Sequence, residues 1–130
     1  MATAPADVVG DFLAAFSAAD FERMRALLGE DMVAWVTGPD GAMDRVEGRE
    51  RYLSRIEAMD LPAVEFRVEL TQPPVAVADG LLLAMVEVRA ERPGRSLHNF
   101  AAHLMRVDAG VITEWWMADA KPAESDSFWA

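Results

Sequence analysis

The sequence predicts an α+β domain with helices first and an antiparallel sheet after. Three observations carry this. Apolar residues recur at helical spacing as far as Met59, and the period changes to two beyond Pro62. Turn signals at Asp79-Gly80, Pro93-Gly94 and residues 108–110 then cut the remainder into strands whose links are too short for parallel crossovers.

Taken in order, Thr3 is a cap candidate followed closely by Pro5, and Val9, Phe12, Leu13 and Phe16 mark the buried stripe of a first helix. Asp20 is placed to cap a shorter second helix carrying Phe21, Met24, Leu27 and Leu28 on one side, with Gly29 as its stop. Residues 31–36 form a first strand, and Gly38, Pro39, Asp40 and Gly41 form a turn. A third helix runs over residues 49–59 with Tyr52, Leu53, Ile56 and Met59 on its apolar face, and Pro62 follows as its stop.

Val64, Phe66, Val68 and Leu70 then alternate with Glu65, Arg67, Glu69 and Thr71, the pattern of a strand with one face buried. Residues 81–91, residues 97–107 and Val111–Asp119 complete a four-strand meander, giving the order α-α-β-α-β-β-β-β with the helices packed on one face. The tail, residues 121–130, is polar until Phe128 and Trp129, rings that are expected to dock onto the body or a partner chain.

A chain of 130 residues, 52% apolar along its length, is expected to form a single domain. Its 22 acidic and 12 basic residues give a net charge of −10, which repels nucleic acid and anionic membranes. Without cysteine there are no disulfides, thiolate catalysis or thiolate metal ligands. The start of the chain lacks the basic and apolar segments of a secretory signal, so the expected location is the cytoplasm.

The order of elements resembles the cone-shaped nuclear transport factor 2-like superfamily, which includes ketosteroid isomerase and the SnoaL-like polyketide cyclases. The resemblance covers nearly the whole chain. It is carried by residues 12–28, by Glu47-Gly48-Arg49-Glu50, and by residues 110–116 in the last strand. It implies a curled, mostly antiparallel sheet around an apolar cavity and a homodimer through the outer sheet face. An ungapped alignment to ketosteroid isomerase places the oxyanion-hole tyrosine at Phe12, the general base near Val36 and the protonated acid at His103. Phenylalanine and valine cannot lift a proton or donate to an enolate oxygen, so steroid isomerase machinery is absent. SnoaL-like cyclases resemble the chain in placing an acid after the tryptophan of the last strand, here Asp119. The aspartate-arginine-aspartate set of the superfamily's epoxide hydrolases is not assembled from the sequence.

Strand alternation sorts the candidates once the alignment turns His103 inward. Asn99, Ala101, Met105 and Val107 share its side, while His98, Phe100, Leu104 and Arg106 face outward; Trp115, Met117 and Asp119 face inward on the last strand. The candidate catalytic residues are therefore His103 and Asp119. Phe12, Phe16, Trp35, Tyr52, Asn99, Met105, Trp115 and Met117 are the candidate ligand-binding residues. His103 reads either as a general acid/base tuned by a carboxylate such as Asp119 or as a core histidine satisfied by hydrogen bonds. Asp119 reads either as an acid of the site or as a surface residue paired with Lys121.

Outward Phe100 and Leu104 predict a homodimer through that face. Two histidines on opposite faces of one strand cannot share an ion and no compact set of further ligands is evident, so no metal is expected; the expectation for other cofactors is likewise none. The sequence thus supports a small hydrophobic ligand in the cone, with acid/base isomerisation, cyclisation or dehydration of a carbonyl-bearing substrate. The alternatives are a non-catalytic ligand-binding module and a dimerisation module.

Overall fold

The computed structural model describes residues 4–38, 40 and 42–130. The Thr3 cap and the Pro39 and Gly41 positions of the turn lie outside the described residues. The elements are α1 (Pro5–Ser17), α2 (Phe21–Leu27), β1 (Leu28–Thr37), β2 (Met43–Glu47), α3 (Arg49–Glu57), a 3-10 turn (Leu61–Val64), β3 (Arg67–Leu70), β4 (Val75–Ala78), β5 (Leu81–Arg92), β6 (Arg95–Asp108), β7 (Val111–Asp119) and α4 (Pro122–Trp129). The α+β class is as expected, and the expected order α-α-β-α-β-β-β-β is kept with three additions, β2 before α3, the short β4 after β3 and α4 after the last strand. No helix among the described residues is long and apolar enough to cross a membrane.

The sheet runs β2-β1-β7-β6-β5-β3, with β4 also paired to β5. All pairs are antiparallel except β1 and β7, which run parallel with Ala34 opposite Trp115 and Val36 opposite Met117. Parallel neighbours need a long connection, and here every element between them supplies it.

Asp20 caps α2 as expected, its Oδ1 accepting from the Arg23 amide at 3.1 Å. Gly29 does not stop that helix. Leu28 is already extended (φ −105°, ψ 138°) and buried, so the chain passes from helix to strand without a loop, and Gly29 lies inside β1. A Cβ there would lie 3.4 Å from the Ile112 carbonyl oxygen, an ordinary van der Waals contact, so the position does not demand glycine.

The alternating segment beyond Pro62 is only partly strand. Leu61–Val64 form the 3-10 turn and Glu65 takes a left-handed conformation (φ 51°) before β3 begins at Arg67, yet Val64, Phe66 and Val68 all stay buried. Likewise α3 ends at Glu57, two residues short of Met59, with the Met59 amide donating to the Ile56 carbonyl at 3.0 Å.

The core lies between the helices and the inner sheet face. Val8, Val9 and Phe12 of α1 meet Ala84, Val86, Met105, Ile112 and Trp115, all essentially without exposure. Trp115 is the largest fully buried side chain, edge-on to Phe12 at 4.8 Å and 5.6 Å from the Tyr52 ring.

Candidate functional site

The inner face of β6 is the spine of the site. Leu97, Asn99, Ala101, His103, Met105 and Val107 are buried, while His98, Phe100, Arg106 and Asp108 are exposed, which is the period-two pattern of one covered face. Register places Met117 of β7 opposite His103, and Asp119 opposite Ala101.

A cavity of about 390 Å³ opens against this face. Of the residues singled out in the sequence, Phe16, Asn99, His103, Trp115, Met117 and Asp119 line it. Phe12, Tyr52 and Met105 do not; each is buried behind the wall, Phe12 and Tyr52 against Trp115. Tyr52 also approaches Met117, its hydroxyl 3.8 Å from Sδ, and burial holds its phenol well above the ordinary value.

Trp35 is a correction. It faces away from the cavity, because Met32 and Ala34 take the inner positions of β1. Its indole donates to Glu114 Oε2 at 3.3 Å, Arg45 stacks over its ring at 5.5 Å, and it pairs with outward Trp116.

Asn99 lines the cavity but is already saturated. Its Nδ2 donates to the Lys121 carbonyl at 2.9 Å and to Ser125 Oγ at 2.8 Å, and its Oδ1 accepts from the amides of Phe100 (3.0 Å) and Lys121 (3.2 Å). It pins the start of α4. Arg92 and Arg95 hold the far end by donating to the carbonyls of Phe128 and Ser127. Asn99→Ala should cost about 1–3 kcal/mol by stranding these partners. Denaturant unfolding measures that loss, and α4 amides should exchange faster than those of β6.

His103 is 8% exposed and its Nδ1 has no hydrogen-bond partner; neither has buried Trp115 Nε1, whose ring lies edge-on 5.2 Å away. Burial alone lowers the imidazole from 6.5 to about 4, so the ring is neutral near neutral pH. The sequence reading expected a carboxylate to tune it. Among the described residues no hydrogen bond joins His103 to Asp119, and His103 is not satisfied by hydrogen bonding at Nδ1 either. Asp119 is half-buried; burial raises its carboxyl above the ordinary value, and the Ser125 hydroxyl partly offsets this.

Sequence reasoning missed the part of the wall made by α4, including Ser125, Asp126 and Trp129, and the Arg55–Asp44 pair (3.7 Å), all of which line the cavity. Pro122 at the first helical turn followed by Glu124 was the available signal for α4. Arg55 and Asp44 are each about half exposed or more, which makes this a surface pair rather than a buried aspartate-arginine-aspartate set. Among the described residues no group of three His, Cys, Asp or Glu is disposed to hold a metal ion.

A seven-stranded sheet curled against helices, with a cavity on its inner face, is the nuclear transport factor 2-like architecture. The model of the SnoaL-like domain family matches residues 9–115, and the chain belongs to that family. An uncharacterized protein of Mycobacterium tuberculosis strain H37Rv is 26% identical over 124 residues, 95% of each chain. Bal32a, from a soil-derived mobile gene cassette, shares the fold with a TM-score of 0.85 at 20% identity, over 97% of this chain and 96% of that one. A second M. tuberculosis protein, RV0760c, solved in complex with estradiol-17β-hemisuccinate, shares it with a TM-score of 0.72 at 19% identity, over 88% and 93% of the respective chains.

Proposed function

We propose that the cavity binds a small, uncharged, hydrophobic molecule bearing a carbonyl oxygen and that the protein moves a proton beside that carbonyl. One observation carries the binding half: two unpartnered buried nitrogens, His103 Nδ1 and Trp115 Nε1, belong to adjacent rings of the cavity wall. An unpaired buried polar group costs about 1–3 kcal/mol, and because neither nitrogen is itself open to the cavity a bound acceptor relieves that penalty by drawing the rings toward it. RV0760c, of the same fold, was solved with a steroid hemisuccinate, which supports a hydrophobic ligand body although that compound also carries a carboxylate. Asp44, Asp119 and Asp126 against the single Arg55 disfavour an anionic head.

In the chemical step the Asp119 carboxylate takes the proton from the carbon next to the carbonyl, and neutral His103 donates a hydrogen bond to the oxygen as it becomes an enolate. Returning the proton at another carbon completes an isomerisation. The test is deuterium exchange beside the carbonyl of a bicyclic ketone in heavy water. Exchange above the buffer rate that is lost in Asp119→Asn, with binding retained, supports the step; exchange at the buffer rate removes it.

Removal of the step leaves a second reading, a non-catalytic binding module. It is favoured by the missing His103–Asp119 hydrogen bond, which leaves the proposed base and the proposed donor unlinked. Ligand affinity that does not change with pH through the carboxyl range would identify it.

The partner proposed for the outer sheet face is a second copy. Val75, Leu83, Leu104, Trp116 and Trp35 are successive cross-strand neighbours on β4, β5, β6, β7 and β1, and Phe100 lies beside this row at 44% exposure. A row of apolar side chains across five strands suits an isologous dimer. Leu104→Glu should halve the sedimenting mass without unfolding the protein; an unchanged mass, or a monomer from the outset, counts against this face. A cytoplasmic location remains part of the proposal.

A further inference from the structure

A second hollow lies beside the cavity. A groove of about 520 Å³ lies where the α1–α2 corner meets the 3-10 turn and the end of β5, with Ala18, Ala19, Leu61, Pro62 and Ala90 among its walls. Phe66 is the one described residue that borders both hollows. Its ring is 8% exposed, 5.1 Å from the Phe16 ring and 6.1 Å from that of Trp129, and both neighbours also line the cavity.

The backbone that carries this ring is irregular. Glu65, immediately before it, has φ 51°, a conformation uncommon outside glycine, and Phe66 is not yet part of β3. The ring therefore stands on a corner rather than in a strand ladder. Ala19, another wall of the groove, has φ 53°. The groove walls mix small apolar side chains with Ser17 and the charged Glu65, Arg67, Arg89 and Glu91, and Arg67 is directly opposite Arg89 across β3 and β5. Such a channel suits an unbranched apolar chain that ends in water.

Resting on the reading of the cavity as a ligand site, we infer that Phe66 is a specificity-determining gate between the cavity and a second subsite in the groove, which takes the tail of an elongated apolar ligand. A closed ring limits the ligand to the length the cavity holds. A displaced ring lets the chain continue past Phe16 and Trp129 into the groove.

The probe is a series of methyl n-alkyl ketones of increasing length, titrated calorimetrically into the full chain. Affinity should rise by about fourfold per added methylene while each one is buried, then level off at the length that fills the space available. In Phe66→Ala the plateau should begin at a longer chain than in the native protein, and in Phe66→Trp at a shorter one. Ala18→Trp, which puts bulk at an exposed groove position, should restore the native plateau when combined with Phe66→Ala. Phe66→Leu serves in place of the alanine variant if that one fails to fold. An unchanged plateau in the folded variants, with short ketones still bound, overturns the gate and leaves the cavity reading standing. If no ketone binds the native protein at any length, the cavity reading fails and the gate fails with it.

Discussion

Replacing His103 with leucine should make the protein more stable and its cavity less able to hold a carbonyl compound. The imidazole is buried with Nδ1 unpartnered, and exchanging an unsatisfied polar ring for an apolar side chain of similar size removes a penalty of about 1–3 kcal/mol. Chemical denaturation near neutral pH measures the gain. The pH dependence should change as well. The folded value of about 4 lies below the ordinary 6.5, so between these values the unfolded chain binds more protons than the folded one. The stability linked to this ring is complete above about pH 6.5 and is lost as pH falls through that window to about 4, a swing of about 3 kcal/mol. Asp119 contributes the opposite sign. Its raised carboxyl value favours the folded state at low pH, and that contribution fades as pH rises through the carboxyl range. His103→Leu should therefore flatten the slope between about pH 4 and 6.5, and a slope that survives would place its origin elsewhere.

Trp115→Ala should have the largest effect on stability. The indole has no exposure and packs between Phe12, Tyr52 and His103, so truncation removes the centre of an aromatic cluster. Losses on replacing a buried aromatic by alanine run about 3–5 kcal/mol, a large share of the roughly 5–15 kcal/mol that holds a domain together. Trp115→Phe separates packing from chemistry. It keeps an aromatic ring and discards the unpartnered Nε1, so it should cost much less stability than alanine while weakening a carbonyl ligand about tenfold, the loss of one hydrogen bond. Equal losses of stability in both variants, or undiminished ligand affinity in Trp115→Phe, would contradict that division.

The parts of this site legible in the sequence are those where one strand face is covered and the other is not. On β6 the alternation from Leu97 to Val107 puts His103 and Asn99 on one face and Phe100 on the other, and the alignment to ketosteroid isomerase turns that face inward, together with Trp115, Met117 and Asp119 on β7. Trp35 was misplaced because residues 31–36 are short and mostly apolar on both faces, leaving parity to be set by pairing with Arg45 and Trp116. β2 is a polar edge strand of five residues with almost no buried side, so it carried no periodic signal. α4 is too short and too weakly amphipathic to announce itself; a helix of eight residues has little stability of its own, and tertiary bonds from Asn99, Arg92 and Arg95 hold it. The hydrogen-bond saturation of Asn99 and the depressed imidazole of His103 depend on what lies across space, which spacing along the chain does not encode.

The chain has two histidines on opposite faces of β6, so nitrogen-15 NMR of the imidazoles tests the central claim with a built-in control. The account predicts that the His103 ring stays neutral down to about pH 4 and that its signals move when a bicyclic ketone is added, while those of His98 do not respond to the ketone. A His103 ring that titrates near 6.5, or a ketone that shifts His98 and leaves His103 unmoved, would show that the ring does not face a buried ligand cavity.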